Sequence, residues 1–578
     1  RALPAPADAA MDPRPWHRAY DPGVQPALDY EALTLTDALR RAGCRWPDAP
    51  AIVLAGHVTR YARLLAQVDA LAAHLRAAGL QPGERVAVHM PNLPQTVVAF
   101  HGILAAGGTA VMTNPLYSDD EIVHQWQDAG CSAAVVAGWL WAERHARLRE
   151  RLPVRHWIAT SSVDALPFWL RPSARVRLRS RKPELLAQPP GVLRWHAALA
   201  QGRGLPVPDA PRLDDVALVQ YTGGTTGRSK GAQLTHRNLS CNVQQMRAWM
   251  HALRAGEESF LAALPYFHVF GLTVCMNLPL WLASKIVVQP DPRDTAKVAE
   301  EIERQRVTVL ALVPTMAQSL VDLPAERQRR MDSLKLCVTG SAPLPVETLE
   351  RLEALSGVRV AEGYGLTETS PMTHCNPVEG QRKIGSIGVP VSDTDVRLVQ
   401  PDDATREVEP GAVGELAVKG PQVMAGYWQR PEETASVLRD GWFLTGDLAQ
   451  QDEDGFFRIV GRKKEMISVG GYKVYPDEVD RVLAGHPAVA ECATIGVPDA
   501  RLGETVKSFV ALRPGARATP EELVAHCRSH LAAFKVPREI ELRTALPRSA
   551  VLKVLRRELL REELEKRAQA APPAPSPG

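Results

Sequence analysis

Paired cysteines, a dominant charge and internal repeats are all missing from this 578-residue chain, and each gap removes a class of protein. Its eight cysteines (Cys44, Cys131, Cys241, Cys275, Cys337, Cys375, Cys492 and Cys527) are scattered, with no C-x-x-C pair. A disulfide framework or a zinc site is therefore not expected, and a reducing cytoplasm fits. The formal net charge is only +3, and no basic tract carries interleaved aromatics, which argues against a nucleic-acid partner. No signal peptide stands at the start; the chain begins at Arg1, and Met11 reads as a candidate start residue. Charge is absent from Ser259 to Ser284, 26 residues without Asp, Glu, Lys or Arg and long enough to span a bilayer. Yet Pro265, His268, Gly271, Asn277 and Pro279 interrupt that stretch, so the reading is a buried strand, a loop and a buried helix rather than a membrane span.

What is present is an ordinary globular composition, 45% hydrophobic and 23% charged, in a chain too long for one core, so two or more domains are expected. Helical spacing over Tyr61–Ala78 and Pro94–Ala106 alternates with strand-like Arg85–His89, Thr109–Met112 and Ala133–Val136. That rhythm predicts layered α/β architecture. Residues 139 to 190 break it with Phe168-Trp169-Leu170-Arg171-Pro172, then Arg175, Arg177, Arg179, Arg181 and Lys182. This is a solvated insert or, alternatively, a peripheral contact with anionic lipid headgroups. Alternation resumes from Leu213 to Glu362. Past Ile384, short strands and Gly/Pro turns such as Ile384–Gly388 and Gly414–Val418 predict a β-rich, small-barrel-like subdomain. Past Gly461 comes a compact α+β module ending in an amphipathic helix with Leu555, Leu559, Leu560 and Leu564 on its apolar face. The Ala/Pro tail 568–578 is expected to be disordered. The expected division is a large domain over 1–461 and a small lid over 462–567.

One segment says most about chemistry: Tyr221-Thr222-Gly223-Gly224-Thr225-Thr226-Gly227-Arg228-Ser229-Lys230-Gly231. Glycines let the backbone turn its N–H groups toward an anion, threonines add hydroxyl donors, and Lys230 supplies a mobile positive charge. The run is a cradle for polyphosphate, with a flexible surface turn as the bland alternative. It departs from the usual G-x-x-x-x-G-K-[ST] loop because Ser229 precedes the lysine and Gly231 follows it. A buried strand over Val216–Gln220 would feed it.

With Leu234-Thr235-His236-Arg237-Asn238 after it, this segment resembles the AMP-forming acyl-CoA synthetases, most of all the long-chain fatty-acid–CoA ligases. The likeness runs from about residue 30 to 565. It implies ATP, Mg²⁺ and coenzyme A as reactants, with a fatty acid as partner. Further motifs take roles from the resemblance. After the turn Gly340-Ser341-Ala342-Pro343, the segment Glu362-Gly363-Tyr364-Gly365-Leu366-Thr367-Glu368 would lay Tyr364 on adenine, touch phosphate with Thr367 and hold the metal with Glu368. In Thr445-Gly446-Asp447, the carboxylate would take the ribose hydroxyls, and Arg462 would add a ribose or phosphate contact. Lys464 would be the pivot of a domain rotation, carrying the loop Ser468-Val469-Gly470-Gly471-Tyr472-Lys473 toward the site.

Lys553, at the first turn of a helix where a cation opposes the dipole, matches the lysine that grips acyl carboxylate and α-phosphate. Leu552 stands where the family usually has glycine, which bears on how freely that loop swings. His268, in Pro265–Gly271, would sit beside the incoming carboxylate as a positioner. The apolar run Val307–Val321, with Val313, Thr315 and Met316, lines a greasy pocket or is plain core. The implied reaction is attack of a carboxylate on the α-phosphorus of ATP, then displacement of AMP by the CoA thiol. Two alternatives stay open: a fatty-acyl-AMP ligase loading a carrier protein, and a non-catalytic membrane-associated fatty-acid binding or uptake protein. Neither acyl length nor oligomeric state is fixed by the residues.

Overall fold

The computed structural model describes residues 14–166, 169–181, 183, 192–222, 229–470, 472–499, 501–548 and 554–570. The chain divides into two compact units. The first comprises Arg1–Asp395, Val418–Phe443 and Asp454–Phe456; the second comprises Val396–Ala417, Leu444–Glu453 and Phe457–Gly578.

Two large sheets build the first unit. One has eight strands, in the order Gly426–Tyr427, Lys230–Thr235, Val216–Thr222, Thr109–Met112, Arg85–His89, Cys131–Ala137, His156–Thr160 and Leu193–Arg194. Its central strands run parallel, joined by crossover helices, and the edge strands Lys230–Thr235 and Gly426–Tyr427 are antiparallel. Parallel strands buried on both faces read as continuous apolar runs, and Thr109–Met112 is buried at every position. The aromatic weight of this half, Trp126, Trp141, Trp157 and Tyr221, packs on one side of the sheet.

The other sheet has nine strands and contains Ser259–Ala262, Lys285–Val288, Val309–Leu312, Leu336–Thr339 and Val360–Gly365. Helices Thr295–Arg304, Pro314–Val321 and Val346–Ser356 cover it through Ile302, Leu320, Leu349 and Leu352. The uncharged stretch resolves as expected. Strand Ser259–Ala262 is followed by a turn and by helical segments from Val269 to Trp281 in which nearly every residue is buried. Among the described residues no helix is long and apolar enough to cross a membrane. Met316 packs against the core that the Val307–Val321 run builds.

In the second unit, strands Asp403–Glu407, Gly414–Lys419, Trp442–Gln451 and Phe457–Arg462 belong to a six-stranded sheet. In the first unit, the Gly-rich stretch Ile384–Gly388 is a turn, with Gly385 and Gly388 at positive φ, leading into the two-residue strand Val389–Pro390. A five-stranded sheet around Val489–Asp499 and Gly503–Leu512 carries helices Pro476–Ala484 and Pro520–His530 on one apolar core. The C-terminal helix Arg556–Ala570 covers the other core through Leu559. Its expected apolar face is corrected: Leu555 and Leu564 are exposed, whereas Glu563 is buried, its carboxylate accepting a hydrogen bond from Lys507 Nζ at 2.8 Å. The basic insert contains a helix over Arg171–Arg181.

Candidate active site

The run expected to cradle phosphate lies between two paired strands. Strands Val216–Thr222 and Lys230–Thr235 pair with Thr222 opposite Lys230, so the chain must reverse between them. Gly223, Gly224, Thr225, Thr226 and Gly227 lie outside the described residues; the hairpin's two ends are described. A side chain at Gly231 would stand 2.4 Å from Val219 Cγ1, which leaves only glycine beside the lysine. At the far end of Lys230–Thr235 the chain turns directly into the helix His236–Trp249. Thr235 Oγ1 accepts from the Asn238 N–H at 3.1 Å, and Asn238 Oδ1 accepts from the Thr235 N–H at 3.0 Å. This reciprocal cap is worth about 1 kcal/mol and fixes the angle at which the hairpin leaves the helix.

Three more sequence motifs meet beside that hairpin. Gln220, on the same strand as Thr222, donates its side-chain amide to the Phe267 carbonyl at 2.8 Å, holding the turn that carries His268. His268 caps the helix Val269–Leu272, its Nδ1 accepting from the Phe270 N–H at 3.3 Å. A side chain at Gly340 would press on the Gly363 carbonyl oxygen at 3.2 Å and on the Phe270 ring at 3.5 Å. The His268 turn, the Gly340–Ser341–Ala342 turn and the Glu362–Glu368 segment therefore converge. Ser341 holds a left-handed backbone with φ of +74°.

Within Val360–Gly365, Glu362 is buried, with backbone N–H groups of Leu344 and Gly385 at 3.3 and 3.4 Å from its two oxygens. Burial raises its pKa from the ordinary carboxylate value, and those donors and Arg382 only partly offset the rise. Glu362 thus orders the backbone around the motif. Tyr364 is half-buried with one ring edge against His374, centroids 5.7 Å apart, and a side chain at Gly365 would collide with the Pro371 carbonyl. Past Gly365 the chain turns through Thr367 to Glu368, which is only partly buried.

Two residues that the sequence reading missed bridge Glu368 and the hairpin. Tyr427 donates its hydroxyl to Glu368 Oε1 at 2.8 Å, and its ring centroid lies 5.2 Å from Lys230 Nζ. Glu433 pairs with Lys230. No group of three metal-binding side chains occurs among the described residues. A Mg²⁺ carried in by a nucleotide needs only one or two carboxylates beside its phosphates, and Glu368 fits that demand.

In the second unit, Asp447 and Arg462 face each other across paired strands, with Arg462 Nε 2.6 Å from Asp447 Oδ1. They were expected as separate ligand contacts; they also form an ion pair with each other. Gly446, just before Asp447 in the strand, takes φ of +74°. The missed residue here is Glu415, buried, which accepts from the Gly446 N–H at 3.2 Å and from Lys463 Nζ at 2.8 Å. Lys464 lies in the short helical turn Lys463–Glu465. Gly470 takes φ of +57° in the hairpin between Ile467–Val469 and Tyr472–Val474; Gly471 lies outside the described residues.

Lys553 also lies outside them, but both flanks of its loop are described. The Leu555 N–H donates to the Pro547 carbonyl at 2.8 Å, and Arg548 bridges Val554. The C-terminal helix begins at Arg556, so the expectation of a lysine in its first turn is corrected: Arg556 and Arg557 occupy that turn. Arg556 offsets the unfavourable dipole by pairing with Glu465, Asp477 and Asp480.

The chain as a whole is similar to known proteins. Residues 39–428 match the model of the AMP-binding enzyme family, and residues 478–553 match that of the AMP-binding enzyme C-terminal domain. A long-chain-fatty-acid–CoA ligase of Bacillus subtilis (strain 168) is 41% identical over 559 residues, 96% of this chain and 98% of its own length. Among solved structures, ATP-bound MatB from Rhodopseudomonas palustris is 30% identical with a TM-score of 0.78, covering 92% of this chain and 99% of its own. The anthranilate CoA ligase AuaEII in complex with anthranoyl-AMP is 25% identical with a TM-score of 0.81, covering 94% of this chain and 99% of its own.

Proposed function

The chain belongs to the AMP-binding enzymes, and from that premise we propose that it activates a fatty acid with ATP to an acyl-adenylate and pyrophosphate, then transfers the acyl group to coenzyme A with release of AMP. The observation that carries the reading is the convergence of the Thr222–Lys230 hairpin, the His268 turn, the Gly340 turn and Glu368 in one unit. Such a grouping aligns a carboxylate with the α-phosphorus and neutralises charge, which is what the first half-reaction needs. Long-chain acids are the favoured substrates, supported by the identity to the Bacillus subtilis ligase over nearly the whole chain.

The roles divide as follows. Thr222–Lys230 cradles the phosphates, Gly340–Ala342 and Glu362–Thr367 hold adenine and phosphate, and Glu368 binds Mg²⁺, which would neutralise phosphate charge. Asp447 and Arg462 take the ribose, His268 positions the acid, and Lys553 grips the α-phosphate. Lys464 serves as pivot between a body over 1–461 and a lid over 462–567, with Gly470 and Gly471 on the loop that the rotation brings in. Unpaired cysteines support a cytoplasmic location. A peripheral contact with anionic lipid is supported by exposed Arg175, Arg177 and Arg179 on the helix Arg171–Arg181, together with exposed Trp169 and Val176. Phe168 and Lys182 lie outside the described residues.

The test is a panel of acids from acetate to C18, plus aryl acids, with pyrophosphate, AMP and CoA-thioester all measured. CoA-thioester from long-chain acids is the expected result. Pyrophosphate release without CoA-dependent AMP release would point to carrier-protein loading. No acid-dependent pyrophosphate release would point to a binding protein and overturn the proposal.

A further inference from the structure

Resting on that reading, we propose that Tyr427 and Glu433 set the charge state of the phosphate site: Tyr427 positions both Glu368 and Lys230, and Glu433 is the internal anion that a nucleotide's phosphates must displace from Lys230.

The placement follows from an edge strand only two residues long. Gly426–Tyr427 pairs antiparallel with Lys230–Thr235, with Tyr427 opposite Ala232, two residues from Lys230. Side chains two apart on a strand share a face, so Tyr427 lies beside Lys230 on the edge of the hairpin. Its backbone N–H donates to Thr434 Oγ1 at 2.9 Å, tying the edge strand to the helix Pro431–Val437, on which Glu433 sits. The Met424 N–H donates to the Glu368 carbonyl at 2.8 Å, so main chain and side chain both attach this segment to the Glu368 turn.

Tyr427 has two different ends. Its hydroxyl donates to Glu368 Oε1, so one end of the side chain holds the carboxylate. Accepting from Tyr427 fixes Glu368 Oε1 in one orientation and withdraws charge from that oxygen. The ring meanwhile faces the Lys230 ammonium, a cation–π contact that steadies the lysine without neutralising it.

Glu433 does neutralise it. That carboxylate also lies 3.6 Å from Arg430 Nε, and Arg430 donates to Asp128 Oδ1 at 2.6 Å. When Lys230 turns to a phosphate, Glu433 keeps Arg430 as its cation. A half-exposed ion pair is weak, with Lys230 29% and Glu433 38% exposed, so the exchange is energetically easy. Without Glu433, an unpaired lysine would wait in the empty site for any anion.

Calorimetric binding of ATP, with and without Mg²⁺ and with no acid present, tests this on the full chain. Glu433→Gln is expected to tighten ATP binding by roughly two- to fivefold, the size of one half-exposed ion pair. Tyr427→Phe, which keeps the ring, is expected to weaken binding by about tenfold with Mg²⁺ present and to leave Mg²⁺-free binding unchanged. Tyr427→Leu, which loses the ring as well, should weaken both. Unchanged or weaker binding by Glu433→Gln would overturn the counter-ion role. Equal effects of Phe and Leu in both conditions, in variants whose melting temperature matches the parent, would overturn the positioning role. Failure of the parent chain itself to bind ATP would instead refute the proposed function.

Discussion

Arg462 reaches across paired strands to Asp447, its Nε 2.6 Å from the carboxylate, which is almost wholly buried. On the proposed function this carboxylate takes the ribose, and its strand partner orients it. Replacement by Asn keeps the shape and loses the charge. Asp447→Asn is expected to weaken ATP binding by roughly ten- to a hundredfold, since hydrogen bonds to a charged group carry about 1.5–3 kcal/mol. Arg462→Ala removes an ion-pair partner from a buried carboxylate and should also lower thermal stability, by about 1–3 kcal/mol because the arginine is itself partly exposed. Calorimetry and thermal melts read the two effects separately.

Lys553 acts, on the proposed function, only in the first half-reaction. Lys553→Ala should therefore reduce acid-dependent pyrophosphate exchange by at least about a hundredfold, the scale of losing one positioned charge at a developing anion. Thioester formation from preformed acyl-AMP and CoA should change only several-fold. Equal losses in both half-reactions would contradict a rotating lid. Leu552→Gly tests the departure from the family's pattern: a freer loop should change the rate at which the two half-reactions follow one another, read in single-turnover experiments.

Much of this was legible in the residues because the relevant patterns are local. The apolar strand read over Val216–Gln220 and the glycine-threonine run after it are contiguous, so they could be read in order, and the strand is found over Val216–Thr222. Tyr427 and Glu433 escaped notice for the opposite reason. A two-residue strand has no periodicity, and its partner strand is almost two hundred residues earlier in the chain. Glu415 was equally silent, since an acidic residue in an apolar strand declares itself only when the N–H and the ammonium it satisfies are seen. The C-terminal helix was misjudged at both ends of its pattern, because leucine spacing does not reveal that Glu563 is drawn inward by Lys507.

Arg556 offers a test of how the Lys553 loop is anchored. Three carboxylates, Glu465, Asp477 and Asp480, converge on this one guanidinium, and burial raises the Asp480 pKa while Arg556 opposes the rise. Arg556→Ala leaves them repelling one another, and about 3 kcal/mol of stability should be lost. Arg556→Lys keeps the charge but not the fork, and should recover only part of it. Differential scanning calorimetry, following the transition of the C-terminal module, gives the measurement.

Acid sensitivity follows from histidines buried as neutral rings. Burial lowers the pKa of His74 and His236 to about 4 and of His101, His145 and His374 to about 3. An unfolded histidine titrates near 6.5, so below that pH the unfolded chain binds protons that the folded chain refuses. Stability is therefore complete above about pH 6.5 and falls as pH drops toward 4, each group contributing up to about 1.4 kcal/mol per pH unit in that window. His374 matters most for the site, since its neutral ring meets the edge of Tyr364. His374→Gln should flatten the fall in melting temperature between pH 6.5 and 4.5. An identical slope in the variant would mean that the ring is not neutral in the folded protein.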